Sequence, residues 1–210
     1  MTAAAPGVFE GSKAVFRREG VLGTLRSAWD VLKAKRQLRA AQEVGWVRLG
    51  GSAVVRNSGT MRFGDRVRLN GRIVPLQFTC HRGGYLEIGD STFINYGADI
   101  AASWAVKIGK RCNIGQFAII IDDDYHDVDD HTAHGKVAPV IIEDDVWLGA
   151  RVTVLRGSRI GRGSVVAAHA VVMGEIPPYS LAAGVPAKVV RRLRGGEAAG
   201  EAAADLPLDS

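Results

Sequence analysis

Three histidines crowd one short stretch of the 210-residue chain: His126, His131 and His134 lie in HDVDDHTAH, directly after IIDDDY. Imidazole titrates near neutrality, so it can take and return a proton at physiological pH or ligate a metal as the neutral ring. No neighbour of His126 is an obvious nucleophile, so a proton taken there would come from a substrate that itself attacks, without a covalent enzyme intermediate. His81 and His169 stand apart in the sequence. Cationic residues are the other chemical resource. The net charge is +5, with nine Lys/Arg against four acidic residues in the first 50 positions. A basic surface attracts phosphates of any kind. No helix-turn-helix, zinc-finger or aromatic RNA-binding signature accompanies the charge, so nucleic acid is not an expected partner.

The elements that must position these residues are legible as a repeat. From Ile142 the chain divides into sixes: IEDDVW, LGARVT, VLRGSR, IGRGSV, VAAHAV, VMGEIP. The first position is aliphatic throughout (Ile142, Leu148, Val154, Ile160, Val166, Val172), and the fifth is small or aliphatic. Upstream, IGDSTF, INYGAD and IAASWA start at Ile88, Ile94 and Ile100, and IGKRCN, IGQFAI and IIDDDY at Ile108, Ile114 and Ile120. FGDRVR and LNGRIV extend the pattern back to Phe63. A six-residue period is neither the two of an ordinary strand nor the 3.6 of a helix. It predicts a parallel β-helix in which three short strands and three corners make one coil. First and fifth positions point inward and stack on their equivalents about 4.8 Å away. Glycine, 26 residues of 210, recurs at second positions (Gly64, Gly89, Gly109, Gly115, Gly149, Gly161), where it is expected to serve corners with strained or left-handed backbone. Two stretches interrupt the repeat, His81–Glu87 and His126–Pro139, and a solenoid that breaks its repeat commonly places a binding loop there.

The chain divides into 1–45, a helical segment; 46–194, the solenoid; and 195–210, an acidic tail with Glu197, Glu201, Asp205 and Asp209 that reads as disordered. A helix is expected over Val21–Glu43, with Leu25, Trp29 and Leu32 on one face and Lys and Arg around it. Two uses are open: a cap over the first coil, or a surface helix on anionic lipid. No apolar run is long enough to span a bilayer, and the N-terminus lacks the apolar core of a signal peptide. Two cysteines, Cys80 and Cys112, suit a reducing compartment. A cytoplasmic location, with membrane contact left open, is the expectation.

The repeat, with the ending EIPPYSLAAGVPAKVVRRLR, resembles the hexapeptide-repeat, left-handed β-helix acyltransferases, in particular the sugar O-acetyltransferases. The likeness covers roughly residues 47–194. It implies the left-handed coil, a short basic C-terminal helix, a homotrimer with sites between subunits, and acetyl-CoA as acyl donor. The implied reaction is transfer of an acetyl group to a hydroxyl of a sugar or glycan precursor. By the same likeness, His126 at the start of the protruding loop is the general base. Asn95 in FINYG approaches the acceptor, and Trp147 lines the cleft. A backbone N–H near Gly149 or Ala150 meets the thioester oxygen. Lys188 and Arg191 meet the coenzyme A phosphates. The chain departs from the pattern in two places. Ser103 stands near where some relatives carry an acidic residue. Met173-Gly174 stands where several have Thr-Lys.

Other readings share the fold. An amino-sugar N-acetyltransferase would use the same base and donor. A metal hydrolyase similar to the γ-class carbonic anhydrases would place His126, His131 and His81 on a metal between adjacent subunits, although the transferase reading expects none. A non-catalytic scaffold would not need His126.

Overall fold

The computed structural model describes residues 21–194, with side chains from residue 28 onward. The proposed tail 195–210 and the first 20 residues lie outside the described residues. Within them the chain winds as a triangular parallel β-helix, as the six-residue period requires, and its hand is the left-handed one that the resemblance implies.

The first face carries seven parallel strands: β1 (Glu43–Val44), β3 (Thr60–Phe63), β5 (Tyr85–Ile88), β8 (Ala105–Ile108), β11 (Val140–Ile142), β14 (Arg159–Ile160) and β17 (Glu175–Ile176). Two long strands, β2 (Val47–Asn57) and β4 (Val67–Cys80), run round a corner and contribute to both other faces. Their first halves join β6 (Phe93–Ile94), β9 (Asn113–Ile114), β12 (Trp147–Leu148), β15 (Val165–Val166) and β18 (Ser180–Ala183) on the second face. Their second halves join β7 (Asp99–Ala102), β10 (Ile119–Ile121), β13 (Thr153–Val154) and β16 (Val171–Val172) on the third.

Parallel pairing in register places each inward residue on its own equivalent. Phe63, Ile88, Ile108, Ile142, Ile160 and Ile176 form one stack, and Phe78, Ile100, Ile120, Val154 and Val172 another. All are buried. So are the fifth-position residues, among them Cys112, Ala118, Val146, Val152 and Ala170. Where the fifth position is a hydroxyl, the next coil satisfies it. Ser158 Oγ donates to the Val172 carbonyl at 3.1 Å, and Ser164 Oγ to the Pro177 carbonyl at 2.7 Å. Burial pushes the Cys112 thiol up to about 12, so it is protonated and unreactive at neutral pH.

The second-position glycines are explained differently from the sequence expectation. Left-handed backbone falls at the fourth position, where the glycines Gly97, Gly157 and Gly163 adopt it as expected of corner glycines, and so do Arg66, Ser91, Arg111, Phe117, Asp145, Arg151 and His169. Second-position glycine answers a different demand, close approach between coils. A Cβ on Gly115 would lie 2.5 Å from the Gly149 carbonyl carbon. That neighbour is backbone in a packed ladder and has little room to yield. Gly115→Ala is therefore expected to cost about 1–3 kcal/mol and to lower the melting temperature by several degrees in a thermal melt.

The ends are closed by unlike devices. Helix α1 (Val21–Gln37), six residues shorter than expected, packs on β2. Its inward side is Ala34 with Leu38 just beyond the helix end, both fully buried. Trp29 and Leu32 are not on that side: they are 64% and 61% exposed. The capping reading stands, carried by other residues than those the sequence pointed to; Leu25 is outside the described side chains. At the other end the expected basic helix is absent. Residues Lys188–Arg192 are β19, antiparallel to β18. The extended hairpin partner supplies hydrogen bonds that β18 would otherwise leave open, and exposed Lys and Arg guard the new edge.

Candidate active site

The repeat breaks at one edge of the prism, between the third and first faces. His81–Gly84, Ser103–Trp104, the loop 122–139 and Leu155–Ser158 occupy that edge in successive coils. The first interruption is only a tight corner: Gly84 N–H donates to the His81 carbonyl at 2.9 Å, and Tyr85 already pairs with Ala105. The second is a true protrusion.

Three consecutive aspartates build the base of that loop, and sequence reasoning gave them no role. Asp122 is fully buried. Its Oδ1 accepts from Ser103 N–H at 2.7 Å, and its Oδ2 from Trp104 and Ala105 N–H at 2.8 and 2.6 Å. Asp123, also buried, accepts from Tyr125 N–H at 2.7 Å and lies 3.3 Å from His134 Nε2. Asp124 pairs with Arg156 on the next coil. The loop then runs out and back. Asp124 N–H reaches the Lys136 carbonyl at 3.0 Å, Asp127 N–H the Ala133 carbonyl at 3.1 Å, and Ala138 N–H the Asp122 carbonyl at 3.0 Å. Asp127 folds the tip by accepting from Asp129 and Asp130 N–H, which holds its carboxyl below the usual carboxylate range. The signal was present in the sequence as DDD at a coil end; its meaning depends on corners contributed by other coils.

His126 is exposed on this braced loop. Its Nδ1 lies 3.0 Å from the His131 carbonyl oxygen. A carbonyl only accepts, so Nδ1 carries the proton in that bond, and the neutral ring presents a bare lone pair at Nε2. That is the arrangement of an oriented base. Tyr125, next in sequence, packs edge-on to His81 with ring centroids 6.2 Å apart. Burial, with Asp123, Asp122 and Asp99 close by, raises its phenol and keeps it protonated.

The other expected site residues lie elsewhere in the chain. Asn95, Gly149 and Ala150 sit at the edge between the second and third faces. Asn95 belongs to an amide ladder there: its Oδ1 accepts from Asn70 Nδ2 at 2.8 Å and from Tyr96 N–H at 2.9 Å. Gly149 N–H is spent on the Val166 carbonyl at 2.8 Å. Ala150 N–H has no acceptor among the described residues. Of the two amides, Ala150 is the one left to meet a ligand. Trp147 stands outward on the second face, 53% exposed. Lys188 and Arg191 are exposed on β19. Gly174 has φ of 109°, a backbone conformation that side-chain-bearing residues seldom take.

Within one chain His126, His131 and His81 do not come together as a ligand cluster: among the described residues, no group of three His, Cys, Asp or Glu side chains is placed to hold a metal.

Comparison with known proteins agrees with this architecture. The family described as bacterial transferase hexapeptide (six repeats) matches residues 139–174. WbbJ of Escherichia coli (strain K12), provisionally named a lipopolysaccharide biosynthesis O-acetyl transferase, is 30% identical over 187 residues, covering 84% of this chain and 91% of its own. The chain belongs to the hexapeptide-repeat acyltransferase family. To Rv3034c of Mycobacterium tuberculosis, provisionally named an acetyltransferase, this hexapeptide-repeat chain is 38% identical over 155 residues. That match spans 72% of this chain and 44% of the relative, so less than half of Rv3034c is represented. A solved acetyltransferase of Vibrio cholerae, VCA0836, in complex with acetyl-CoA superposes with a TM-score of 0.55 at 26% identity, covering 84% of this chain and 91% of its own.

Proposed function

We propose that this hexapeptide-repeat acyltransferase moves an acetyl group from acetyl-CoA to a hydroxyl of a sugar or glycan precursor, with His126 as general base. The observation that carries the reading is the Nδ1–H bond to the His131 carbonyl, which leaves Nε2 free to take a proton. The acceptor hydroxyl gives its proton to Nε2 as its oxygen forms a bond to the thioester carbonyl carbon. Charge develops on the carbonyl oxygen and is met by Ala150 N–H, a fixed dipole that needs no reorganisation. The tetrahedral adduct then releases the coenzyme A sulfur, which takes the proton back from the imidazolium. The WbbJ likeness supports a sugar hydroxyl as acceptor, and the acetyl-CoA complex of VCA0836 supports the donor.

His126 and Ala150 lie on different edges of one prism, so they meet only if a second copy contributes one of them. A homotrimer with sites between subunits is therefore part of the proposal. A chain that is monomeric by light scattering yet active would refute it.

The decisive experiment incubates the protein with labelled acetyl-CoA and a panel of sugars and amino sugars, following thiol release and locating the label. Label on oxygen is the expected result. Label on an amine would replace the O-transfer reading with N-transfer. Lys188→Ala is expected to weaken coenzyme A binding several-fold, with the loss shrinking as salt rises, because exposed charge pairs are screened. Isothermal titration at two ionic strengths checks it.

A further inference from the structure

We infer that α1 lies on an anionic lipid surface through its outward face, with Trp29 and Leu32 at the headgroup boundary. The inward side of the cap is fully accounted for. Asp30 is buried and 3.6 Å from Arg72, and Ala34 and Leu38 complete the core contact. Closing the first coil needs nothing more from this helix. Yet Trp29 and Leu32, three residues apart and so on one helical side, stand 64% and 61% exposed. Lys33 and Arg36 follow each of them by four positions and rim the pair. Lys35 and Arg39 add two more exposed cations. Among the described residues, none of Lys33, Lys35, Arg36 and Arg39 has an ion-pair partner. The sequence continues the apolar spacing upstream with Leu22 and Leu25.

An apolar centre ringed by unpaired cations suits a surface that is apolar below and negative on top. A membrane interface with anionic headgroups has that layering. No described helix is long and apolar enough to cross a membrane, so the contact is parallel to the surface. A two-fold pairing of this face on itself would set Lys33 and Arg36 against their own copies, with like charges repelling. The contacts of the proposed trimer join unlike patches, and the oligomer mass measured below tests whether this face is one of them. A nucleic acid would satisfy the cations and leave Leu32 without an apolar partner.

The test is flotation of the full chain with phosphatidylcholine vesicles, with and without phosphatidylglycerol. Binding only to the anionic vesicles, weakening as salt rises, is expected. Trp29→Ser with Leu32→Ser should lower the partition coefficient about tenfold or more. Lys33→Gln and Arg36→Gln should each lower it about fivefold. Thermal melts of these variants should match the parent, because neither site is in the core. Absence of parent binding, or equal binding to both vesicle types, overturns the proposal. So does a fall in oligomer mass in the double-serine variant without loss of flotation, which would assign the face to a second copy. Displacement from the vesicles by a duplex oligonucleotide would assign it to nucleic acid. None of these readouts depends on the acceptor or on His126, so failure here leaves the proposed reaction standing.

Discussion

Replacing His126 with alanine is expected to reduce turnover by about 10²–10⁴-fold, the range set by loss of a general base, while coenzyme A binding changes little. Both halves follow from geometry. The ring is exposed on the loop, held by one bond from Nδ1 to the His131 carbonyl. Its removal therefore empties no core volume and leaves the solenoid intact. The amide and cations assigned to the donor, Ala150, Lys188 and Arg191, belong to another edge of the prism and to the terminal hairpin, and in the proposed site between copies His126 serves the acceptor hydroxyl while they hold the donor. His126→Gln is the informative companion. It can keep a hydrogen bond from its amide group to the carbonyl but cannot take a proton, so it should be as slow as alanine. Steady-state kinetics with a coenzyme A titration on the same samples measures both quantities. Equal loss of binding and turnover would remove His126 from the base role. Unchanged turnover would favour a non-catalytic scaffold.

Asp122→Ala should be the most damaging change for stability near the site. The carboxylate is fully buried and receives three backbone N–H groups from Ser103, Trp104 and Ala105 at 2.6–2.8 Å. Truncation leaves those donors facing a cavity. Each buried unsatisfied group costs about 1–3 kcal/mol, and water entry recovers part of the sum. A net loss of about 3–5 kcal/mol is expected. For a chain of this size that corresponds to about 10 °C or more in the melting temperature. Asp122→Asn keeps one oxygen acceptor and should lose less. Because Asp122 joins the loop base to the preceding corner, Asp122→Ala should also lower turnover below its melting transition. A melt like the parent's would show that the carboxylate does not hold this corner. Calorimetry settles the stability half, and kinetics well below the transition settles the other.

Much of the architecture follows from local order in the chain. A residue at a first or fifth hexapeptide position is buried because the chain completes a triangle every eighteen residues or so and lays each coil on the last. Ile142 and Ile160 meet at that spacing, and Ile88 and Ile108 join the same stack because the inserted corner and loop return the chain to the same hexapeptide phase. The hydroxyls of Ser158 and Ser164 find carbonyls for the same reason. His126 was legible too, as an imidazole placed where the period stops.

What the period does not encode is everything that depends on which atoms approach across coils. Gly115 is small because the Gly149 backbone lies against it, whereas the left-handed turns fall two positions later and are taken by Arg111 and His169 as well as by Gly97 and Gly163. Trp29 and Leu32 have apolar character that fits either side of α1; packing on β2 selected Ala34 and Leu38 instead. Lys188–Arg192 has no strand alternation of its own, and it is extended because β18 offers a free edge. Asp122 reads as one of three acids in IIDDDY, yet its meaning lies in amides 17 to 19 residues upstream. The end of the repeat marked where the histidine stands, and the family resemblance implied its role. That its Nε2 is the free nitrogen, and that it lies on a different edge from Ala150, came from the closed fold, because both depend on contacts between residues the repeat keeps far apart.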